Sequence, residues 1–219
     1  MNARTHARRR SGFTLLELVV ATAILSLVLG AMGIVQMRAR DASRLGMARE
    51  QVEVLCRRTL DRVAAELQGV GHSLLFPDPS SNLGTGTLTY QHPIAVSTGG
   101  VVTWDTPSRL ALEIDPAEID NGVDDDSDGL IDERRLVLTK NLGGINAVAT
   151  TICSGIPELG EGEAANGLDD NGNGIVDESG FNIRKVGDLL TVRMTVQGPA
   201  GDGQQVISCS LQTAVVLHN

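Results

Sequence analysis

The hydrophobic pattern begins with a long apolar segment that passes into an amphipathic one. The run from Phe13 to Val35 is largely apolar over twenty-three residues and contains a single acid. About twenty apolar residues in an α-helix cross the hydrocarbon core of a bilayer, so this run has a membrane-spanning length. From Leu45 to Leu67 the apolar residues recur at steps of three and four, which is typical of a helix that buries one face. Because no proline lies between residues 13 and 68, we expect one continuous helix of about fifty-five residues.

After residue 71 the pattern changes to that of strands. Apolar and polar residues alternate in segments that are rich in Val, Leu, Ile and Thr and are separated by clusters of Gly, Pro, Asn and Asp. We predict antiparallel strands at Arg109–Ile114, Arg134–Lys140, Leu189–Gln197 and Gln205–Leu217. The region from Phe76 to Gly86, with its prolines, serines and glycines, is predicted to be a surface loop. The expected fold class is α+β, with a long N-terminal helix packed on an antiparallel β-sheet.

The negative charge of the chain is concentrated in two short segments. The 219 residues carry 27 acidic and 18 basic side chains, a net charge of -9, and 42% of them are hydrophobic. Ten acids and no base lie between Glu113 and Glu133, and seven acids and no base lie between Glu158 and Glu178. The apolar fraction excludes disorder of the whole chain. No nucleic-acid partner is predicted, because phosphate binding needs clustered Lys and Arg.

The flanks of the apolar run predict its orientation, and one residue inside the run stands out. Four arginines before residue 12 favour a cytoplasmic N-terminus, so the rest of the chain is expected outside the inner membrane. Glu17 lies within the apolar run, where a carboxylate costs about 2.5 to 3.5 kcal/mol and needs a partner. If a leader were removed after Gly12, the new α-amine of Phe13 would lie one helical turn from Glu17 of the same chain, or beside Glu17 of a neighbouring copy.

The sequence around this acid carries a family resemblance. The junction Arg8-Arg9-Arg10-Ser11-Gly12-Phe13-Thr14-Leu15-Leu16-Glu17 resembles the leader junction of type IV prepilins and of type II secretion pseudopilins. The resemblance implies the type IV pilin fold and cleavage by a prepilin peptidase between Gly12 and Phe13. It also implies N-methylation of Phe13 and a role for Glu17 in setting the register of the subunit in a filament. Residues 60–71 are similar to the end of this helix in PilW-like minor pilins and GspJ-like minor pseudopilins.

The two acidic segments form an internal repeat with an offset of 45 residues. Residues 118–133 align without gaps on residues 163–178 and are identical at eight of sixteen positions. Both copies begin like an EF-hand calcium loop, with oxygen-bearing side chains at positions 1, 3 and 5 and glycine at position 6. These side chains are Asp124, Asp126 and Asp128 in the first repeat and Asp169, Asn171 and Asn173 in the second.

Both repeats then depart from the EF-hand pattern. Position 12 is Arg135 in the first repeat and Gly180 in the second, so the usual bidentate Glu is missing and other oxygens must complete the coordination shell. The candidates are the carbonyls of Leu130 and Ile175 and the side chains of Glu118, Asp132, Glu133, Glu163, Asp177 and Glu178. We predict two calcium sites, of which the second is weaker because asparagines replace two aspartates there. Calcium would stabilise the β-rich domain because only the folded chain binds it.

The whole unit also resembles a metal-binding repeat of bacterial surface proteins, Glu-x-Cys-Asn-Gly-x-Asp-Asp-Asp-Cys-Asp-Gly-x-x-Asp-Glu. Both cysteine positions of that motif are replaced in both copies here. The replacing residues are Asp120 and Ser127 in the first copy and Ala165 and Gly172 in the second. The metal is therefore expected to be the main closure of each loop.

The three cysteines lie outside these repeats. Cys56 falls on the apolar face of the predicted helix and is interpreted as a small core residue. Cys153 and Cys209 fall in strand-like segments outside the membrane, where oxidising conditions permit a disulfide. We predict the pair Cys153–Cys209, although three cysteines also allow other pairings. No nucleophile elbow and no metal-ligand spacing among the four histidines is found, so no enzyme is predicted.

These observations predict four segments and three functions. The segments are a leader (1–12), the transmembrane or filament-core half of the helix (13–37), its amphipathic half (38–70) and a β-rich domain with calcium loops (71–219). The leading hypothesis is a minor pilin that helps to start a type IV pilus at its tip, with the prepilin peptidase and other minor and major pilins as partners. It would first span the inner membrane once, with a periplasmic C-terminal domain, and later reach the cell surface in the pilus. The alternatives are a minor pseudopilin of type II secretion and a calcium-dependent pilus-tip adhesin.

Overall fold

The computed structural model describes residues 14–81, 83–200 and 205–217. The chain divides into two compact units, residues 1–44 and residues 45–219. One helix, α1, runs from Leu15 to Leu67, and every strand of the described residues lies in the second unit. The expected α+β class is confirmed, since a long N-terminal helix is followed by antiparallel sheets, and the architecture is consistent with the type IV pilin fold.

Helix α1 is continuous for 53 residues, close to the length expected from the absence of proline. Its apolar side chains before residue 45 are exposed, with Leu15 at 80% and Leu27 at 74% of full exposure. Further along, one face is buried at the spacing that the sequence predicts. The buried residues on that face are Val52, Cys56, Thr59, Leu60, Val63 and Leu67. The helix therefore presents an apolar surface all round in the first unit and an amphipathic surface in the second.

Nine strands form three antiparallel sheets. Their bounds are Thr87–Tyr90 (β1), Pro93–Val96 (β2), Val102–Trp104 (β3), Ser108–Ile114 (β4), Arg134–Lys140 (β5), Val148–Ile156 (β6), Phe181–Val186 (β7), Leu189–Pro199 (β8) and Val206–Val216 (β9). The larger sheets have the orders β1-β4-β5-β6 and β7-β8-β9, and β2 pairs with β3. A short 3-10 helix, His72–Leu74, follows α1.

The buried face of α1 packs into a core shared with both larger sheets. Val63 and Leu67 are fully buried together with Leu136 of β5, Phe181 of β7 and Met194 of β8. In strand β8 every second residue from Leu190 to Val196 belongs to this core, and Thr195 is buried as well. The Cys56 thiol donates a hydrogen bond to the Met194 carbonyl at 3.6 Å, which places α1 directly over β8.

The four strands predicted from alternation are confirmed, with bounds that differ by at most two residues at each end. The strands that were not predicted are β1, β2, β3 and β7, while β6 was predicted only as a strand-like segment around Cys153, without bounds. All four residues of β2 are exposed, and β6 begins with four exposed residues, so neither has the burial that produces an alternating sequence. The described residues of the predicted loop from Phe76 to Gly86 contain no strand, although Phe76 forms an isolated bridge with Thr89 and Thr85 forms another with Ile183.

The two acidic repeats occupy connections between strands. The first joins β4 to β5, which are neighbours in the four-stranded sheet. The second joins β6 of that sheet to β7 of the three-stranded sheet. Each repeat therefore lies in a connection whose two ends are fixed by strands.

Candidate functional site

The first repeat is shaped by aspartate side chains that bind its own backbone. Asp124 accepts hydrogen bonds from the backbone N–H groups of Ser127 at 2.6 Å and Gly129 at 3.0 Å. One oxygen of Asp126 accepts from the Asp128 N–H at 3.0 Å, and one oxygen of Asp128 accepts from the Leu130 N–H at 2.8 Å. Such turns leave the other oxygen of Asp126 and of Asp128 free of the backbone.

Carboxylates converge inside this loop in two overlapping groups. Carboxylate oxygens of Glu118, Asp126 and Glu133 lie within 4.8 Å of one another, and so do those of Asp124, Asp126 and Asp128. Glu118 and Glu133 are buried, at 6% and 4% of full exposure. Within the described part of the chain, the Oε2 atom of each of these glutamates has no hydrogen-bond partner. Two buried carboxylate oxygens are thus left unpaired beside further carboxylates, which is costly for an ionised group.

Burial and the repulsion among these carboxylates affect the pKa of Glu133. Burial raises the pKa of its carboxyl to about 7, and the neighbouring charges of Asp128, Glu118 and Asp126 act in the same direction. The two arginines that follow in sequence do not relieve this repulsion. Arg134 pairs with Asp120 at 3.5 Å and Glu158 at 3.2 Å, while Arg135 pairs with Glu113 at 3.4 Å.

The donor set of the first repeat fits a hard divalent cation. It consists of carboxylate oxygens, with no sulfur or imidazole nitrogen in either group. A bound cation would accept the unpaired oxygens of Glu118 and Glu133 as ligands and would favour their charged forms. The carboxylates are therefore close enough together to bind such an ion, and their mutual repulsion would be reduced by its positive charge.

The structure brings together five of the predicted ligands of the first repeat and separates another. Glu118 and Glu133 join Asp124, Asp126 and Asp128 in the two groups. Asp132 belongs to neither, because its carboxylate accepts the backbone N–H groups of Asn121 and Gly122. The Leu130 carbonyl stays a predicted ligand.

The second repeat has the same backbone scaffold. Asp169 accepts from the N–H groups of Gly172 and Gly174, each at 2.7 Å, as Asp124 does in the first repeat. Glu163 accepts from the Asn171 N–H at 3.1 Å, as Glu118 does from Asp126. Asp177 accepts from Asn166 and Gly167, as Asp132 does from Asn121 and Gly122. The Ile175 carbonyl stays a predicted ligand.

One cation of the second repeat was missed from the sequence. Arg193 of β8 donates to Glu178 Oε1 at 3.0 Å, and Glu178 is 1% exposed. No local pattern could have indicated this contact, because Arg193 belongs to another strand and reads as an ordinary polar position of an alternating segment.

At the N-terminus the structure gives Glu17 a local role. Its Oε2 atom accepts the Thr14 backbone N–H at 2.9 Å and the Thr14 hydroxyl at 3.0 Å, while the Glu17 N–H donates to Thr14 Oγ1 at 3.2 Å. This reciprocal arrangement is a capping box, whose Thr-x-x-Glu signal is present in the sequence. Gly12 and Phe13, the residues predicted for processing, lie outside the described residues. Among the described residues, α1 is the helix that is long and apolar enough to cross a membrane.

The cysteines require a correction to the predicted disulfide. Cys56, Cys153 and Cys209 are free thiols, so the pair Cys153–Cys209 is not formed in the structure. The Cys56 thiol instead donates to the Met194 carbonyl, and the Cys153 thiol donates to the Ser154 carbonyl at 3.4 Å. Burial raises the pKa of Cys56 to about 12 and that of Cys153 to about 11.

Comparison with known proteins identifies the N-terminal segment. The family model of the prokaryotic N-terminal methylation motif matches residues 7–33. No curated protein and no solved structure matches the chain. The motif, the long apolar helix and the antiparallel sheets together support a type IV pilin-like or pseudopilin-like protein. Such a motif implies processing by a prepilin peptidase and assembly with other pilins.

Proposed function

We propose that this chain is a minor pilin of a type IV pilus whose β-rich domain is stabilised by calcium at its first acidic repeat. Before assembly such a subunit spans the inner membrane, with its C-terminal domain in the periplasm. It then helps to start the filament at its tip. The observation that carries the filament role is the methylation motif at residues 7–33, which leads directly into the exposed apolar half of α1. An exposed apolar helix needs either lipid or neighbouring helices around it, and a pilin subunit meets both in turn.

The geometry of Glu17 supports its role in assembly. One carboxylate oxygen caps the helix through Thr14, and the second oxygen is available to the α-amine that cleavage before Phe13 creates. A cation at this position would neutralise the carboxylate within an apolar surrounding, where an unpaired charge is costly. Capping and pairing are compatible because a carboxylate has two oxygens and about four acceptor sites.

Mass spectrometry of the protein extracted from cells tests the processing step. We expect a mature chain that begins at Phe13 and carries one added methyl group. A protein that keeps its first twelve residues, with no shorter form present, would overturn the proposal. The variant Glu17→Gln keeps a capping oxygen but loses the charge, and we expect it to be processed normally yet lost from purified filaments. Thr14→Ala is the matched control, because it removes the cap and leaves the charge.

A deletion strain separates the pilus from type II secretion, since the motif is shared by both kinds of machine. We expect loss or strong reduction of surface pili with secretion unchanged. Normal pili together with lost secretion would assign the chain to the minor pseudopilins instead. The tip-adhesin alternative would need exposed apolar residues around Leu74–Phe76 that could bind a ligand. It has weaker support, because Leu75 is buried and only Phe76 is strongly exposed, at 75%. A single exposed aromatic residue is common on protein surfaces.

The calcium part of the proposal rests on the first repeat. Its two carboxylate groups share Asp126, and the buried glutamates Glu118 and Glu133 contribute unpaired oxygens. Calcium prefers six to eight oxygen ligands at about 2.3 to 2.6 Å, which carboxylates and carbonyls of a tight loop supply together. Because the unfolded chain does not hold these groups in place, calcium binding is linked to folding. It would raise the free energy of unfolding by about 2.7 kcal/mol when free calcium is 100 times the Kd.

Thermal unfolding of the full chain in detergent, with calcium or with a chelator, tests this site. The variant Asp126→Asn keeps the oxygen that binds the Asp128 N–H and removes one negative charge from both groups. We expect calcium to raise the melting temperature of the wild type and to have little effect on the variant. In chelator the variant should melt no lower than the wild type, because it relieves repulsion. Asp61→Asn, at an exposed position of α1, is the charge-matched control.

Two outcomes would contradict the calcium assignment. One is a wild-type melting temperature that does not change between chelator and millimolar calcium. The other is an Asp126→Asn variant that retains the full calcium shift, since the ion would then be bound elsewhere. Either result would leave the processing and assembly tests unaffected.

A further inference from the structure

The two repeats differ in the side chains that face their buried glutamate. In the first repeat Glu133 faces Asp126 and Glu118, which are acceptors only. In the second repeat the equivalent residue, Glu178, accepts three hydrogen bonds on its Oε1 atom, while its Oε2 atom, like that of Glu163, has no hydrogen-bond partner among the described residues. The donors to Glu178 Oε1 are Asn171 Nδ2 at 3.1 Å, Asn173 Nδ2 at 2.8 Å and Arg193 Nη1 at 3.0 Å.

The orientation of the two amides follows from the backbone. Asn171 Oδ1 accepts the Asn173 N–H at 3.1 Å, and Asn173 Oδ1 accepts the Ile175 N–H at 2.8 Å. Rotating either amide would place its NH₂ group against a backbone N–H, donor against donor. Each Nδ2 is therefore directed at Glu178. The first repeat has aspartates at both positions, whose second oxygens have no proton to donate.

Arg193 completes this arrangement with a formal positive charge. Its second nitrogen, Nη2, donates to Gln212 Oε1 at 3.1 Å, which holds the guanidinium between β9 and the repeat. Glu178 is almost fully buried, while the Arg193 side chain is 28% exposed. A buried carboxylate that is paired and hydrogen-bonded is tolerated, whereas removing its partner leaves an uncompensated charge.

We propose that Arg193, together with Asn171 and Asn173, takes the place of a metal ion at the second repeat. This repeat then keeps its fold without a cation, and the chain binds one calcium ion, at the first repeat. The expected number of one calcium ion per chain rests on the calcium site of the proposed function. The role of Arg193 does not depend on that site. An internal cation takes the place of the expected second, weaker site. The two copies of the loop thus differ in one domain: the first connects its strands with the help of a metal ion, and the second connects its strands without one.

The experiment uses the full chain with Asp126→Asn as background, so that the first repeat does not bind calcium. Two quantities are measured for this background and for variants that carry further substitutions. They are the melting temperature in chelator and, by titration calorimetry, the number of calcium ions bound per chain. Arg193→Gln should lower the melting temperature by about 5 °C or more, because it leaves Glu178 without its charge partner. Arg184→Gln is the matched control, since Arg184 Nη1 donates to the neutral Gly174 carbonyl of the same repeat at 2.8 Å. Arg193→Lys keeps the charge and should lose much less than Arg193→Gln.

A gain of binding provides the second readout. Adding Asn171→Asp, Asn173→Asp and Arg193→Gln to the background recreates the acidic pattern of the first repeat, so we expect one calcium ion bound where the background binds none. The proposal is overturned if the background itself binds a calcium ion and is stabilised by it. It is also overturned if Arg193→Gln melts no lower than Arg184→Gln. A wild type that binds no calcium would instead count against the first site, and the melting temperatures in chelator would still decide the role of Arg193.

Discussion

The carboxylate of Asp132 accepts the backbone N–H of Gly122 at 2.6 Å, across ten residues of the first acidic repeat. Asp177 accepts the N–H of Gly167 at 2.9 Å in the second repeat, so the same contact recurs 45 residues later. Both aspartates have a positive φ, 48° and 45°, which Asp adopts more readily than most residues. The contact joins the beginning of each repeat to its end and is independent of the carboxylate clusters.

The first prediction concerns this closing contact. Asp132→Ala removes an acceptor from two backbone N–H groups and places alanine at a positive φ. We expect the free energy of unfolding to fall by about 1 to 3 kcal/mol, while most of the calcium-induced rise in melting temperature remains. Urea unfolding with and without calcium measures both quantities. Loss of the calcium effect with an unchanged stability in chelator would make Asp132 a ligand instead.

A second prediction concerns a close approach between strands β6 and β8. Gly155 has a φ of +69°, and a Cβ atom there would lie 2.6 Å from the carbonyl oxygen of Gln197. Gly187, in the turn between β7 and β8, has a φ of +62° and no atom within 4 Å of such a Cβ. Both alanine variants bear the backbone strain of a positive φ, about 1 kcal/mol, but only Gly155→Ala adds a clash. Urea unfolding should therefore show the larger loss for Gly155→Ala, and equal losses would contradict the structure.

A third prediction tests the core between α1 and the three-stranded sheet. Phe181 at the start of β7 is fully buried, whereas Val186 at the end of the same strand is 63% exposed. Phe181→Ala is expected to lower the free energy of unfolding by about 3 to 5 kcal/mol, because it leaves a cavity in the core. Val186→Ala should change it by about 0.5 kcal/mol or less. Denaturant titrations of the two variants compare them directly, and a similar cost for both would be incompatible with this packing.

A fourth prediction concerns the thiols. Because burial raises the pKa of Cys56 to about 12 and that of Cys153 to about 11, very little of either is ionised at pH 8. A thiol reagent should leave both unmodified in the native protein, since the thiolate is the reactive form. After unfolding without a reductant, the reagent should count three thiols per chain. A count of one would indicate a disulfide and would contradict the structure.

The elements that could be predicted from sequence are those whose evidence is local. The absence of proline and the change from an apolar run to steps of three and four predicted α1, and alternation predicted β4, β5, β8 and β9. Strand β2 was missed, and the bounds of β6 were not predicted, because exposed strand residues have no alternating burial to impose a pattern. The capping box of Thr14 and Glu17 could have been predicted, since Thr-x-x-Glu is a local signal.

The candidate site was only partly predictable. The repeat and its oxygen-bearing positions follow from residues that are close together in sequence, and the first repeat does bring Glu118, Asp126 and Glu133 together. The separate role of Asp132 depends on which backbone groups the folded loop presents to it. The correction to the Cys153–Cys209 pair has a similar origin, because the neighbours of a thiol depend on tertiary packing, as the contact of Cys56 with Met194 of β8 illustrates.

The sequence by itself determined the membrane-length helix, the methylation motif and the duplicated loop, because periodicity and short motifs are properties of contiguous residues. Only the tertiary structure decided which buried glutamate meets a cation and which meets further carboxylates. Glu133 meets other carboxylates, while Glu178 meets Arg193 from another strand. The physical reason is that the cost of a buried charge depends on the groups within a few ångströms of it, and folding brings those groups from distant parts of the chain.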